Sequence, residues 1–180
     1  RDRRNYLLDE LGKLGSIKYS EDMNGYVRVR FEGVDLVQGG IAYEMGLYED
    51  LATGFYTPYW TMLANCDYDK EGNPIVTEEA IAGAKVFDLT ARISSEYNTD
   101  IGSLKSTLYA RGDHYATYRE LNDINKDGVY EEGWYTSNVE QSVVMNVEAE
   151  FDQLIHAVVT KINDILADAA NREGQPPESY

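Results

Sequence analysis

The sequence predicts an α+β fold: a bundle of long helices near residues 4–14, 99–121 and 142–170, with an antiparallel β region inserted at about 17–63. Three observations predict it. An apolar stripe runs through Val147, Phe151, Leu154, Val158, Ile162 and Ile165 in steps of three and four, one face of a helix. Val27, Val29 and Phe31 alternate with Arg28 and Arg30, the pattern of a half-buried strand. Ahead of that strand, Asn24-Gly25 is a strong hairpin-turn signal.

The elements follow in order. Residues 4–14 read as a helix with Tyr6, Leu7, Leu11 and Leu14 on one face, its end frayed by Gly12 and Gly15. Ile17 to Tyr19 opens the hairpin. Glu32-Gly33 turns the chain into Val34–Val37, and Gln38-Gly39-Gly40 turns it again. Ile41–Leu47 and Phe55–Leu63 are further strands, the second weakened by Pro58. Thr77 to Ala84 forms a short helix. Asp100 caps a helix to about Leu121, with Ile101, Leu104, Leu108, Tyr115 and Tyr118 inward. Gly112 weakens its middle by about 1 kcal/mol relative to Ala.

Asn138 with Gln141 fits a capping box, so the long helix starts there or one turn later. At 1.5 Å per residue it spans about 40 Å, and a mean stripe step of about 3.67 predicts a nearly straight rod. Gly174, Pro176 and Pro177 end it, leaving 171–180 as a loose tail. The expected packing core of the helices is Leu7, Leu11, Leu104 and Leu108 with Val147, Phe151, Leu154, Val158, Ile162 and Ile165. The whole reads as one domain, β-rich over 17–88 and helical over 1–14 and 99–170.

Composition narrows the partners. Sixteen basic against thirty-two acidic residues give a net charge of −16, which repels phosphate backbones and anionic lipids. Neither nucleic acid nor membrane is an expected partner. No run approaches the ~18 apolar residues of a membrane helix. The first residues carry charge without an apolar signal core, and no initiating Met is present, so we read the chain as a fragment or processed product. Cys66 is the only cysteine, which excludes an intrachain disulfide.

Two acidic loops have metal-like spacing. Asp67, Asp69, Glu71 and Gly72, with Glu78 at the twelfth position, match an EF-hand calcium loop. Pro74 inside the loop and the lack of a preceding helix count against it. Asp123, Asn125, Asp127 and Gly128 repeat the first half of the pattern, but Trp134 holds the twelfth position, leaving Glu131 or Glu132 to complete it. The plainer alternatives are a solvated acidic hairpin tip at the first and an Asx-type turn at the second. No other cofactor is expected. His114 and His156 each lack a histidine partner at helical spacing. Acid pairs such as Glu78-Glu79 define no cleft, and Arg111-Gly112-Asp113 falls in a predicted helix rather than a displayed loop. No phosphate loop or nucleophile elbow is present, so no catalysis is expected.

Three stretches resemble a known family. Arg3-Arg4-Asn5-Tyr6-Leu7-Leu8-Asp9-Glu10-Leu11, then Ile17 and Gly33-Val34-Asp35-Leu36-Val37-Gln38-Gly39, is similar to the opening of the flagellar hook-associated protein 1 family. Thr99-Asp100-Ile101-Gly102-Ser103-Leu104-Lys105 with Arg111 resembles that family's next helix, and Glu150-Phe151-Asp152-Gln153-Leu154 through Ile162-Asn163 its long helix. Order and spacing agree over roughly 1–47, 89–121 and 145–168; residues 48–88 and 122–138 match no part of it.

The resemblance implies a secreted structural subunit of the bacterial flagellum, exported by the type III route without a cleaved signal peptide. It implies a place at the hook–filament junction, where motility depends on contacts with the hook protein, the neighbouring junction protein and copies of itself. Both terminal tube segments of the family are missing, so the chain resembles the middle domain of a larger axial protein. The alternatives are a calcium-stabilised extracellular binding or adhesion module and an acidic secreted hydrolase.

Overall fold

A computed structural model describes residues 2–96 and 102–173, with side chains to residue 171. The chain divides into two compact units, Arg1–Tyr109 and Ala110–Tyr180. The first opens with helix α1 (Asp2–Leu14), followed by strands β1 (Ile17–Glu21), β2 (Val27–Phe31), β3 (Val34–Gln38) and β4 (Ile41–Ala42). These four make an antiparallel sheet in chain order. Lys18 lies opposite Arg30 and Tyr19 opposite Val29, so the alternation in the sequence becomes one apolar and one charged face.

Strands β5 (Met45–Asp50) and β6 (Phe55–Trp60) form a separate hairpin, and β7 (Asp67–Tyr68) with β8 (Pro74–Ile75) a shorter one. Pro58 fits within β6 because it supplies only a carbonyl, accepting from the Val86 amide at 2.9 Å. Helix α2 (Glu78–Ile81) starts at Thr77, whose hydroxyl accepts from the Ala80 amide. Helix α3 (Ser103–Arg111) closes the unit. Its core joins Phe31, Trp60, Val86, Phe87 and Leu108, with the Phe31 and Phe87 rings edge to face at 5.9 Å.

Glu32 ties three of these elements together. It sits in the two-residue turn between β2 and β3 with φ of 46°, and its amide donates to the Ser16 carbonyl. One carboxylate oxygen accepts from the Ser16 amide at 2.6 Å, and the other from Lys105 Nζ on α3 at 2.7 Å. Both side chains of that ion pair are less than a tenth exposed.

The second unit holds a 3-10 turn at Glu120–Asn122, a π-helical turn at Tyr135–Val139 and helix α4 (Val143–Glu173). The expected bundle of long helices does not form. The fold is a mixed α/β one, with a four-stranded antiparallel sheet and a C-terminal helix, and among the described residues α4 alone is long.

The helix expected over 99–121 is nine residues, stopping at Arg111. Gly112 ends it with φ of 82°, and a side chain there would run into Met145. Asp100 and Ile101 lie outside the described residues, as do residues 174–180 of the tail expected at 171–180.

Candidate functional site

Helix α4 begins at Ser142, one turn past Asn138. The Ser142 hydroxyl accepts from the Met145 amide at 3.2 Å and donates to the Ala110 carbonyl at 3.0 Å. One face of the helix is covered by its own unit. Met145 and Ala149 are fully buried with Val139 and Ala116, and Leu121 and Tyr135 pack against them. Glu148 accepts from the Ala116 amide at 3.2 Å, and Asp152 from the Tyr118 amide at 3.0 Å. One turn further, the His156 and Tyr118 rings stack 4.1 Å apart.

The predicted stripe lies on the other side. Val147 follows Met145 by two residues, a rotation of about 200° at 3.6 residues per turn. Val147, Phe151, Leu154, Val158, Ile162 and Ile165 are between 48% and 61% exposed. Val143, Val144, Ile155 and Val159 extend the bare surface to ten large apolar side chains on one helix. These stripe residues are therefore not core within their own unit, because the covering segment 112–139 packs on the opposite face. Leu7 and Leu104 are exposed as well; only Leu108 is buried, while Leu11 packs partly against the core of the first unit. On α1 the buried residue is Leu8.

The acidic loops share one geometry. At Asp22, Asp69 and Asn125 the residue's amide donates to the carbonyl four positions on, and its carbonyl accepts from a glycine three positions on. Those glycines, Gly25, Gly72 and Gly128, have φ between 81° and 86°. The side-chain oxygen of each Asp or Asn accepts from the amides two and four residues later. At Asp69 the Asn73 side-chain amide, then its backbone amide, hold the carboxyl below the usual carboxylate range.

The remaining calcium candidates are scattered. Asp123, with φ of 58°, accepts from the Tyr135 amide at 3.0 Å. Glu78 lies 4.0 Å from Lys85, and Asp67, Glu71 and Asp127 are exposed. Among the described residues, no three His, Cys, Asp or Glu side chains converge as a metal would need.

Sequence reasoning missed the cluster around Glu120. This residue is 1% exposed and accepts from the Thr117 amide (2.9 Å), His114 Nε2 (2.6 Å) and Trp134 Nε1 (3.2 Å). His114 Nδ1 meets Asp113 at 2.6 Å. Burial lowers the His114 pKa, but the bonds to Asp113 and Glu120 outweigh it and push it up to about 9. Burial also opposes charge on Glu120, yet those bonds hold its pKa below the ordinary value. The result is an imidazolium between two carboxylates. Nothing in the local sequence marks it, because its members are brought together by the turn that follows Gly112. The same turn keeps Arg111-Gly112-Asp113 from display: Arg111 donates to the Gly112 carbonyl, and Gly112 is buried against Met145.

Among the described residues, no helix is long and apolar enough to cross a membrane. Comparison with known proteins gives no match to a family model, to a curated protein or to a solved structure.

Proposed function

We propose that this chain is a non-catalytic structural segment of the bacterial flagellum at the hook–filament junction. It is exported without a cleaved signal peptide and works outside the cell. Its partners are the hook protein, the neighbouring junction protein and copies of itself. The observation that carries this reading is the bare stripe on α4. Ten large apolar residues on one face, with about 46 Å of helix behind them, form a surface suited to burial on assembly. The resemblance over 1–47, 89–121 and 145–168 is what points this reading to the flagellar junction.

The calcium-stabilised adhesion module has less support, since the oxygens it needs at Asp69 and Asn125 already accept backbone amides. Replacing Phe151 and Leu154 by Glu in the gene, in its own bacterium, tests the assembly reading. Both positions are exposed, so the folded chain is expected to be retained and exported. Filaments should then fail to form on completed hooks. Filaments of normal number and length on such cells overturn the reading.

A further inference from the structure

The apolar positions of α4 repeat every eleven residues. Val143, Val147, Phe151, Leu154, Val158 and Ile162 are spaced 4, 4, 3, 4 and 4, and Ile165 and Ala169 continue with 3 and 4. Val143, Leu154 and Ile165 therefore share one column along the helix, and Val147, Val158 and Ala169 a second. Phe151 and Ile162 stand in a third, with Val144, Ile155 and Leu166 in a fourth beside it. Eleven residues are close to three turns at 3.6 residues per turn, so each column runs almost parallel to the helix axis. A seven-residue repeat would alternate steps of 4 and 3 and drift in the sense that wraps helices left-handedly. The drift on α4 is slight and of the opposite hand, so helices sharing its repeat lie side by side along their length.

The bare surface is large enough to hold such a helix. Its ten large apolar side chains, each at least 40% exposed, offer an area on the order of the 800 Å² that one side of a stable protein–protein contact buries. Past His156 the helix has little cover of its own, and every residue from 157 to 162 is exposed. Charge describes the partner further. Helix α4 holds six Asp and Glu against Lys161 and Arg172, a net of −4 within a chain of net −16. Glu150, Lys161 and Asp168 line one edge of the stripe, all three exposed and two of them carboxylates. Laid against a second copy, α4 meets its own excess of carboxylates, whereas Lys and Arg flanking a partner's stripe are attracted.

We propose that the α4 stripe takes one straight helix of a different polypeptide, with apolar residues repeating every eleven positions and basic flanks. This rests on the reading of the stripe as an assembly surface and adds the class of helix it selects. A shared period keeps the two apolar stripes in contact from end to end, while a seven-residue repeat diverges from the columns within a few turns. Copies of the chain then meet through other surfaces.

Binding of labelled synthetic peptides to the whole chain, read by fluorescence anisotropy, tests this. Three peptides of equal length and apolar content serve as probes. The first has an eleven-residue repeat with Lys and Arg flanks, the second a seven-residue repeat with the same flanks, and the third an eleven-residue repeat with Glu flanks. The second carries the charge of the first, so it also measures non-specific attraction to an acidic chain. The first peptide should bind saturably, and each of the others about tenfold more weakly or worse. Phe151→Glu with Leu154→Glu, both exposed, should abolish binding of the first, with circular dichroism showing the chain still folded. Equal binding of the second or third peptide overturns the proposal, as does no binding of the first. So does sedimentation showing that the chain pairs with itself through the stripe, with the Phe151→Glu and Leu154→Glu variant returning to monomer. These failures are separable from failure of the flagellar reading, which is judged by filament growth: a stripe that takes a seven-residue helix is still an assembly surface.

Discussion

Met145 and Val147 stand two residues apart on α4 and face opposite surroundings, Met145 fully buried against Gly112 and Ala149, Val147 60% exposed. One face of the helix is thereby covered by its own unit and the other is left bare. Met145→Ala leaves a cavity in the second unit and should cost about 2–4 kcal/mol in urea unfolding. Phe151→Ala, on the bare face, should cost under about 1 kcal/mol in the isolated chain. A larger loss at Phe151 than at Met145 would mean that the stripe is covered.

The same pair shows how far the sequence could be read. Periodicity located α4 and its stripe, since both follow from 3.6 residues per turn acting on side-chain type. It did not show which face the chain itself covers. On the covered face only Met145 and Ala149 are buried, and one of these is small. Beside them Glu148 and Asp152 accept the backbone amides of Ala116 and Tyr118, which arrive from elsewhere in the chain and which no local pattern encodes. The strands between 17 and 38 were legible because alternation and turn residues are local signals. The strand expected over Ile41–Leu47 is instead split between β4 and β5, which belong to different sheets. The end of α3 was not legible either: as a mid-helix residue Gly112 costs only about 1 kcal/mol, and its role as a stop comes from the packing of Met145 on it. The metal-like loops have a second reading for a related reason. Asp or Asn followed by Gly three positions later suits a tight hairpin tip as well as a cation.

The His114 cluster sets a pH dependence. Its folded pKa of about 9 lies above the unfolded value of 6.5, so its stabilisation is complete below 6.5 and is lost as pH rises towards 9. The size is on the order of 3 kcal/mol at 1.36 kcal/mol per pKa unit. Glu120 acts in the opposite sense: its lowered pKa contributes stability present above the ordinary carboxylate range and lost on acidification. Thermal melts from pH 5.5 to 9.5, followed by Trp134 fluorescence, should therefore show falling stability on the alkaline side. His114→Gln should flatten that slope. An unchanged slope in the variant would assign the alkaline loss to another group.

The buried pair of Glu32 and Lys105 should be costly to break from either side. Glu32→Gln keeps an acceptor for the Ser16 amide but leaves Lys105 without its counter-charge, at a cost of about 3 kcal/mol or more. Lys105→Met strands the carboxylate in the same way. The double variant should lose less than the sum of the two, giving a positive coupling in a double-mutant cycle. Because the pair is shielded from solvent, that coupling should persist in molar salt. Strict additivity would show that the two groups act independently.

At the Asn125 tip a neutral acceptor oxygen suffices, because Asn125 makes the same two amide contacts as Asp22 and Asp69. Asn125→Asp keeps both contacts and should lower stability only slightly, through repulsion from Glu131, which now accepts from the Asn125 side-chain amide at 3.4 Å. Asn125→Ala removes both contacts and should cost about 1 kcal/mol. Adding millimolar calcium should not move the melting temperature of either variant or of the parent, since the same oxygens are committed to the backbone. A rise in melting temperature with calcium that disappears in Asn125→Ala would instead make this loop a cation site, with the turn as its unfilled form.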